Sequence, residues 1–269
     1  MAKAKELAPA AARDTRMAIP SHLHPLSFVA RLEWRLEHQP PRQKGQRTRE
    51  RLKLAGARLL MNSNLHDIRT GDFSAEAGMA EGSFYLYFTD KADLVRTVLD
   101  EFQTMFFDLN LRRARHEQGD EVESIRFANL VWISFARANG GLIRSLYQFA
   151  DGDPQFARTF QAHNMRWHQR VLRGLMRQGG PITAMGEDEL LLIVCVLGGM
   201  MDDLIRKLFV QPDAELVTLL DRLDATDETI ADVATVIWMR LLAPGQAPLL
   251  REPSIAGRIA AAIVNPAHD

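Results

Sequence analysis

Residues 77–94 read Ala77-Gly78-Met79-Ala80-Glu81-Gly82-Ser83-Phe84-Tyr85-Leu86-Tyr87-Phe88-Thr89-Asp90-Lys91-Ala92-Asp93-Leu94. Ala77-Gly78 suits a tight turn, because glycine reaches positive φ without a Cβ clash. A helical stretch is expected from about Glu81 to Phe88, with Phe84 and Phe88 four apart on a face that can bury. Ser83, Tyr85 and Tyr87 carry hydroxyls toward other faces, suited to phosphate oxygens and base edges. Gly82 removes side-chain bulk where a backbone approaches another surface.

The residues before this stretch extend the pattern. Thr70 is placed to cap a helix, Asp72 sits in its first turn, and Phe73 and Ala77 face inward four apart. Helix, glycine turn and helix make a helix-turn-helix. Leu52, Ala55, Gly56, Leu59 and Leu60 form a helical apolar stripe ahead of it. Three short helices thus suffice for a small DNA-binding head.

Residues 47–94 resemble the N-terminal domain of TetR-family transcriptional regulators. The resemblance is carried by Ala77, Gly78, Gly82, Tyr85, Phe88, Lys91 and Leu94, with Tyr87 where the family usually has His. It implies an all-α homodimer with a three-helix head and a larger helical ligand-binding and dimerisation domain. Such a protein binds a near-palindromic duplex operator and releases it when a small molecule enters the body. Carried onto this chain, Tyr85, Tyr87 and Lys91 hold phosphates, and Ser83 and Phe84 contact bases unless Phe84 is buried instead. Arg47, Thr70 and Gly82 complete the expected DNA contacts. Ala80 stands where a Ser or Thr cap is usual, and Glu81 where a cation is frequent. Glu81 either supports the helix through its dipole or accepts from a cytosine amino group.

Charge is distributed in the same sense. From Arg42 to Arg58, seven cations (Arg42, Lys44, Arg47, Arg49, Arg51, Lys53 and Arg58) face Glu50 alone, a net of +6 in a chain whose total is −1. That concentrates positive field at the head.

The 269 residues and 46% hydrophobic content allow a large core. The single cysteine, Cys195, excludes an internal disulfide framework and fits a reducing cytoplasm. The N-terminus lacks an apolar signal segment, and the apolar run Leu190–Met201 stops at Asp202-Asp203, too short to span a bilayer. No membrane association, cofactor or metal site is expected; His22-x-His24 is too slight a pattern for one.

The chain divides into an N-terminal extension at 1–43, a head at 44–92, a helical body at 93–243 and a tail at 244–269. In the extension, 27–38 reads as a helix with Phe28, Val29, Leu32 and Leu36 on one side, ended by Pro40-Pro41. Through the body, helices are separated at Gly119-Asp120, at the stop signal Asn139-Gly140-Gly141, at the Asp153-Pro154 cap, and at Gly179-Gly180-Pro181. A short packed helix is possible within 255–264.

Two helices, near 188–210 and 227–242, are apolar nearly all round and so must bury two sides. They are expected to form the homodimer interface as a four-helix bundle. Asp202 and Asp203 precede Arg206 and Lys207 by three to four residues and read as helical ion pairs.

The effector is expected to be mostly apolar or aromatic. Candidate ligand residues are Met105, Trp132, Tyr147, His163, Trp167 and Met200. His163 is the polar member of the stripe Phe156, Phe160, His163, Trp167, Val171 and Leu175, either a hydrogen-bonded core histidine or a ligand contact. Two other classes of protein have less in the sequence to support them. An enzyme lacks support, since there is no dinucleotide fingerprint, phosphate loop or Cys/His cluster. A dimeric adaptor that has lost DNA binding is favoured only by Ala80 and Glu81.

Overall fold

The computed structural model describes residues 26–113, 121–178 and 186–242, with 254, 255 and 257–259 beyond them. The arm up to Pro25 with its two histidines, the breaks at 119–120 and 179–181, and most of the 255–264 helix lie outside the described residues. Every regular element among the described residues is helical, so the all-α expectation holds.

Helix α1 spans Phe28–His38 and α2 spans Lys44–Asn62. Helix α3 is Thr70–Glu76, followed by a short 3₁₀ helix at Glu81–Leu86. The body holds α4 (Lys91–Arg113), α5 (Glu121–Gly152), α6 (Pro154–Gln178) and α7 (Glu187–Ile205). A π-helical turn at Arg206–Val210, α8 (Ala214–Arg222) and α9 (Asp227–Leu242) complete it. Helix α9 lies along α5, and α6 along α7. No helix among the described residues is long and apolar enough to cross a membrane.

The glycine turn is built as expected. Gly78 has φ +68°, Met79 N–H donates to Ser74 O at 2.8 Å, and Gly78 N–H donates to Ala75 O at 3.0 Å. That pair of bonds is a Schellman ending, which satisfies the last carbonyls of α3. Thr70 is not the cap of α3. Arg69 holds that position, and its N–H donates to the Asp72 carboxylate at 2.7 Å. The Asp153 cap does form, accepting from Gln155 N and Phe156 N at 3.0 Å each.

The break expected at Asn139-Gly140-Gly141 takes the form of a kink between two helical segments. Helix α5 kinks at Asn139 (φ −137°, ψ 21°) and continues to Gly152. The Asn139 side chain occupies the kink. Its Nδ2 donates to Phe135 O and to Leu26 O, both at 2.8 Å, and its Oδ1 accepts from Phe28 N at 2.8 Å. These bonds dock the start of α1 on α5. The two glycines serve close approach. A Cβ on Gly141 would stand 1.8 Å from Met61 O, and one on Gly140 would stand 2.4 Å from Phe209 O.

The end of α2 is held by the same helix. Ser145 Oγ donates to Leu60 O at 2.9 Å, Arg144 to Ser63 O at 3.2 Å, and Gln148 Oε1 accepts from Leu65 N at 3.0 Å. The obstacle beside Gly141 is backbone and cannot rotate away. Gly141→Ala is therefore expected to lower unfolding free energy by about 2 kcal/mol or more. Denaturant titration checks this; a change below about 0.5 kcal/mol would mean the junction yields freely.

Candidate DNA-binding surface and ligand cavity

The recognition stretch separates its side chains by face. Phe84 is 0% exposed, stacked on Phe73 with ring centres 6.2 Å apart and tilted against Phe88 at 5.9 Å. A ring so enclosed cannot reach a base edge, so Phe84 takes the buried alternative. Tyr85 is 59% exposed, Ser83 and Tyr87 are half-buried, and Thr70 is half-buried at the start of α3. Tyr87 lies beside the N-terminus of α2, where a Cβ on Gly45 would stand 3.9 Å from its ring. A Cβ on Gly82 would meet nothing within 4 Å. Glu81 turns back over the first turn of α3, its Oε1 3.2 Å from where a Cβ of Gly71 would stand.

Lys91 departs from its expected role. Its ammonium donates to Leu65 O at 2.6 Å and Ile68 O at 2.5 Å, which ties the loop before α3 to α4. Burial pushes its pKa down, against the pull of Asp67 and Asp72. Two of its three donors are committed to carbonyls, which turns the ammonium inward rather than toward an outer surface.

The basic cluster also divides. Lys53 is buried and bonds Glu50 at 2.8 Å and Glu101 at 2.5 Å, and Arg35 of α1 bonds the same two carboxylates at 2.7 and 2.6 Å. Burial alone would push the Glu101 carboxyl up. Hydrogen bonds from Lys53 and Arg35 outweigh it and hold the carboxyl below its ordinary value. Arg58 pairs with Glu33 and Glu76, and Arg49 lies 4.5 Å over the Phe88 ring. Arg42, Lys44, Arg47 and Arg51 remain exposed.

In the body a cavity of about 510 Å³ opens between two apolar clusters, one centred on α4 and α5 and the other on α6, α7 and α9. Trp132, Tyr147 and Trp167 line it, as the sequence suggested. Three other candidates do not. Met105 is buried in the α4–α5 core, and Met200 faces outward on α7. His163 packs edge-on against Phe107 at 5.2 Å. Its pKa is pushed down by burial and by Arg166, against Asp100.

The histidine at the cavity is His168. It is 7% exposed, burial pushes its pKa down, and its Nδ1 lies 3.6 Å from Cys195 Sγ. Gly198 lets it come close, since a Cβ there would stand 2.4 Å from His168 Nε2. Gln103, Asn164 and Asp202 also line the cavity and were not anticipated as ligand residues. Gln103 is 4% exposed, and both polar atoms of its amide lack a partner among the described residues.

Asp202 and Asp203 are not equivalent. Asp203 bonds Arg206 at 2.7 Å and Lys207 at 2.8 Å, as expected. Asp202 turns the other way, onto the cavity, and accepts from Trp132 and Asn164. Burial pushes its carboxyl up to about 6, against those two hydrogen bonds. The phenol of Tyr147 is pushed up to about 12 by burial, with the Asp202 charge adding and Arg206 opposing. Tyr147 is thus a neutral donor.

The sequence matches no protein-family model and no curated protein. Among solved structures the chain is similar to the fatty acid degradation regulator FadR from Bacillus halodurans. The identity is 13% and the TM-score 0.53, over 72% of this chain and 94% of that one. The two share a fold.

Because the folded state raises the Asp202 pKa above its ordinary 3.8, an ionised Asp202 disfavours the fold above about pH 6. That penalty fades as pH falls below both values. Asp202→Asn is expected to raise unfolding free energy at pH 7.5 by about 1–3 kcal/mol. The gain should shrink toward zero near pH 4. Equal stability of the two proteins at pH 7.5 would show that the carboxylate is adequately solvated.

Proposed function

We propose that this protein is a ligand-responsive, DNA-binding transcriptional regulator of TetR type. It acts as a cytoplasmic homodimeric repressor that a small effector releases from a palindromic operator. The observation that carries this reading is the two-sided recognition stretch. Phe84 and Phe88 anchor it, while Tyr85 is exposed, Ser83 and Tyr87 are partly so, and Tyr87 lies next to the basic start of α2. Arg47, Ser83, Tyr85 and Tyr87 are the proposed contacts, with Thr70 at the edge and Gly82 admitting a phosphate backbone closely. Arg42, Lys44 and Arg51 supply the field that Lys53, Arg58 and Lys91 do not.

The likeness to a fatty acid degradation regulator supports the general class. The proposed division is a head at 44–92 and a body at 93–243. Helix α7 presents an outer apolar stripe, Leu192 at 65% and Val196 at 64% exposed with Met200, and α9 adds Leu241. This supports pairing of two copies through α7 and α9. The cavity, lined mainly by apolar and aromatic side chains with polar groups among them, supports an effector site. Occupancy shifts a population between states of different operator affinity.

Selection of bound duplexes from a random pool, at two salt concentrations, tests the class. A two-fold-symmetric site with steep salt dependence is expected. No enrichment at low salt by folded protein would favour the adaptor. Tyr85→Phe is expected to weaken operator binding roughly five- to tenfold, through one lost hydrogen bond to a charged group, with the melting temperature unchanged. Unchanged affinity removes Tyr85 from the interface.

A further inference from the structure

Asp202 places a carboxylate in an aromatic stretch of the cavity. Trp132 and Tyr147 stand beside it, Phe106 packs on Trp132 at 4.5 Å between ring centres, and Phe160 meets Tyr147 edge-on at 6.0 Å. The cations that follow Asp202 along the helix, Arg206 and Lys207, are bonded to Asp203. The hydrogen bonds that Asp202 receives come from an uncharged indole and an uncharged amide. A carboxylate has about four acceptor sites, so such partners leave both capacity and charge uncompensated. Ring faces carry negative potential and attract a desolvated cation.

We propose that the cavity selects hydrophobic organic cations, such as an ammonium or amidinium with an apolar or aromatic body, and holds the charge at Asp202. The inference rests on the reading of this cavity as the effector site. The ligand's apolar body fills the space between the two core clusters, and the Gln103 amide offers a neutral donor and acceptor on α4. An anionic ligand fits less well. Three arginines of α6 also line the cavity, the half-buried Arg170 and the exposed Arg173 and Arg177, but the charge beside Trp132 and Tyr147 is that of Asp202. Exposed guanidinium groups are screened by water and salt, and a desolvated carboxylate is not.

Full-length protein titrated by calorimetry with decyltrimethylammonium, decanol and decanoate, each below its micellar concentration, tests this. The ammonium is expected to bind at least tenfold more tightly than the carboxylate of equal chain length. Asp202→Asn should weaken ammonium binding at least tenfold and shift decanol binding less than threefold, which shows the cavity intact. Decanoate binding as tightly as the ammonium, or an Asn variant that keeps the cation preference, would overturn the proposal. If decanol releases operator and charge makes no difference, the effector reading stands and the cation assignment falls. If the ammonium binds through Asp202 without altering operator affinity, the cation assignment stands and the effector reading falls. No binding of any probe to folded protein overturns both.

Discussion

The approach of Met61 to Gly141 fixes how head and body meet. A helix ends with carbonyls that its own backbone cannot satisfy. At the end of α2 those at Leu60 and Ser63 receive hydrogen from Ser145 and Arg144 of α5. This requires the two backbones to lie nearly in contact, and only a glycine at 141 allows it. Lys91 and Gln148 then secure the next loop, at Leu65 and Ile68. The head is thus held by polar bonds whose geometry leaves little freedom to rotate, rather than by apolar contact alone. Helix α1 adds a second tie, reaching α5 through Asn139 and reaching α2 and α4 through Arg35.

That arrangement explains why part of the basic cluster is spent internally. Lys53, Arg35, Glu50 and Glu101 form a closed set with two charges of each sign joining α1, α2 and α4. Removing one member would leave a partly buried charge uncompensated, which disfavours the fold more than the intact set favours it. Charge counted along the sequence is therefore not the field that DNA would meet. That field comes from the exposed members, Arg42, Lys44, Arg47 and Arg51.

Local signals were legible in the sequence, and distant ones were not. The turn at Gly78, the cap at Asp153 and the apolar spacing of Phe84 and Phe88 depend on residues within a few positions, and all appear as read. The break at Asn139 is also present, but what Gly140 and Gly141 face is not legible locally, because Phe209 and Met61 lie far off along the chain. On α6 the spacing of the apolar residues points an inward stripe through His163. At 100° per residue, Phe160, Asn164 and His168 share an edge of that face, which puts His168 and not His163 at the cavity. Asp202 and Asp203 are adjacent in sequence yet about 100° apart around α7, so one finds cations and the other aromatic rings. Helix α8 went unanticipated because its apolar residues pack only partly and none is buried.

The helices that wall the cavity are also those that hold the head. Phe102, Gln103 and Phe106 lie on α4, whose first residue, Lys91, is tied to the loop before α3. Trp132 and Phe135 lie on α5, one to two turns before the kink at Asn139 and the contact at Gly141. A ligand that spreads Trp132 from Trp167 would press on α5 just ahead of that kink. The kink is where the helix departs from straight geometry, so displacement there bends α5 with less loss of helical hydrogen bonding than elsewhere. Because Met61 touches Gly141 without intervening side chains, little slack absorbs the movement before it reaches α2. A second copy joined through α7 and α9 would fix the bodies, and the displacement would then appear as a change in the spacing of two heads. Such coupling needs the ligand to favour one spacing over the other. The cavity lies between two core clusters instead of within either one, so a ligand that moved one cluster against the other would have the means to favour one spacing.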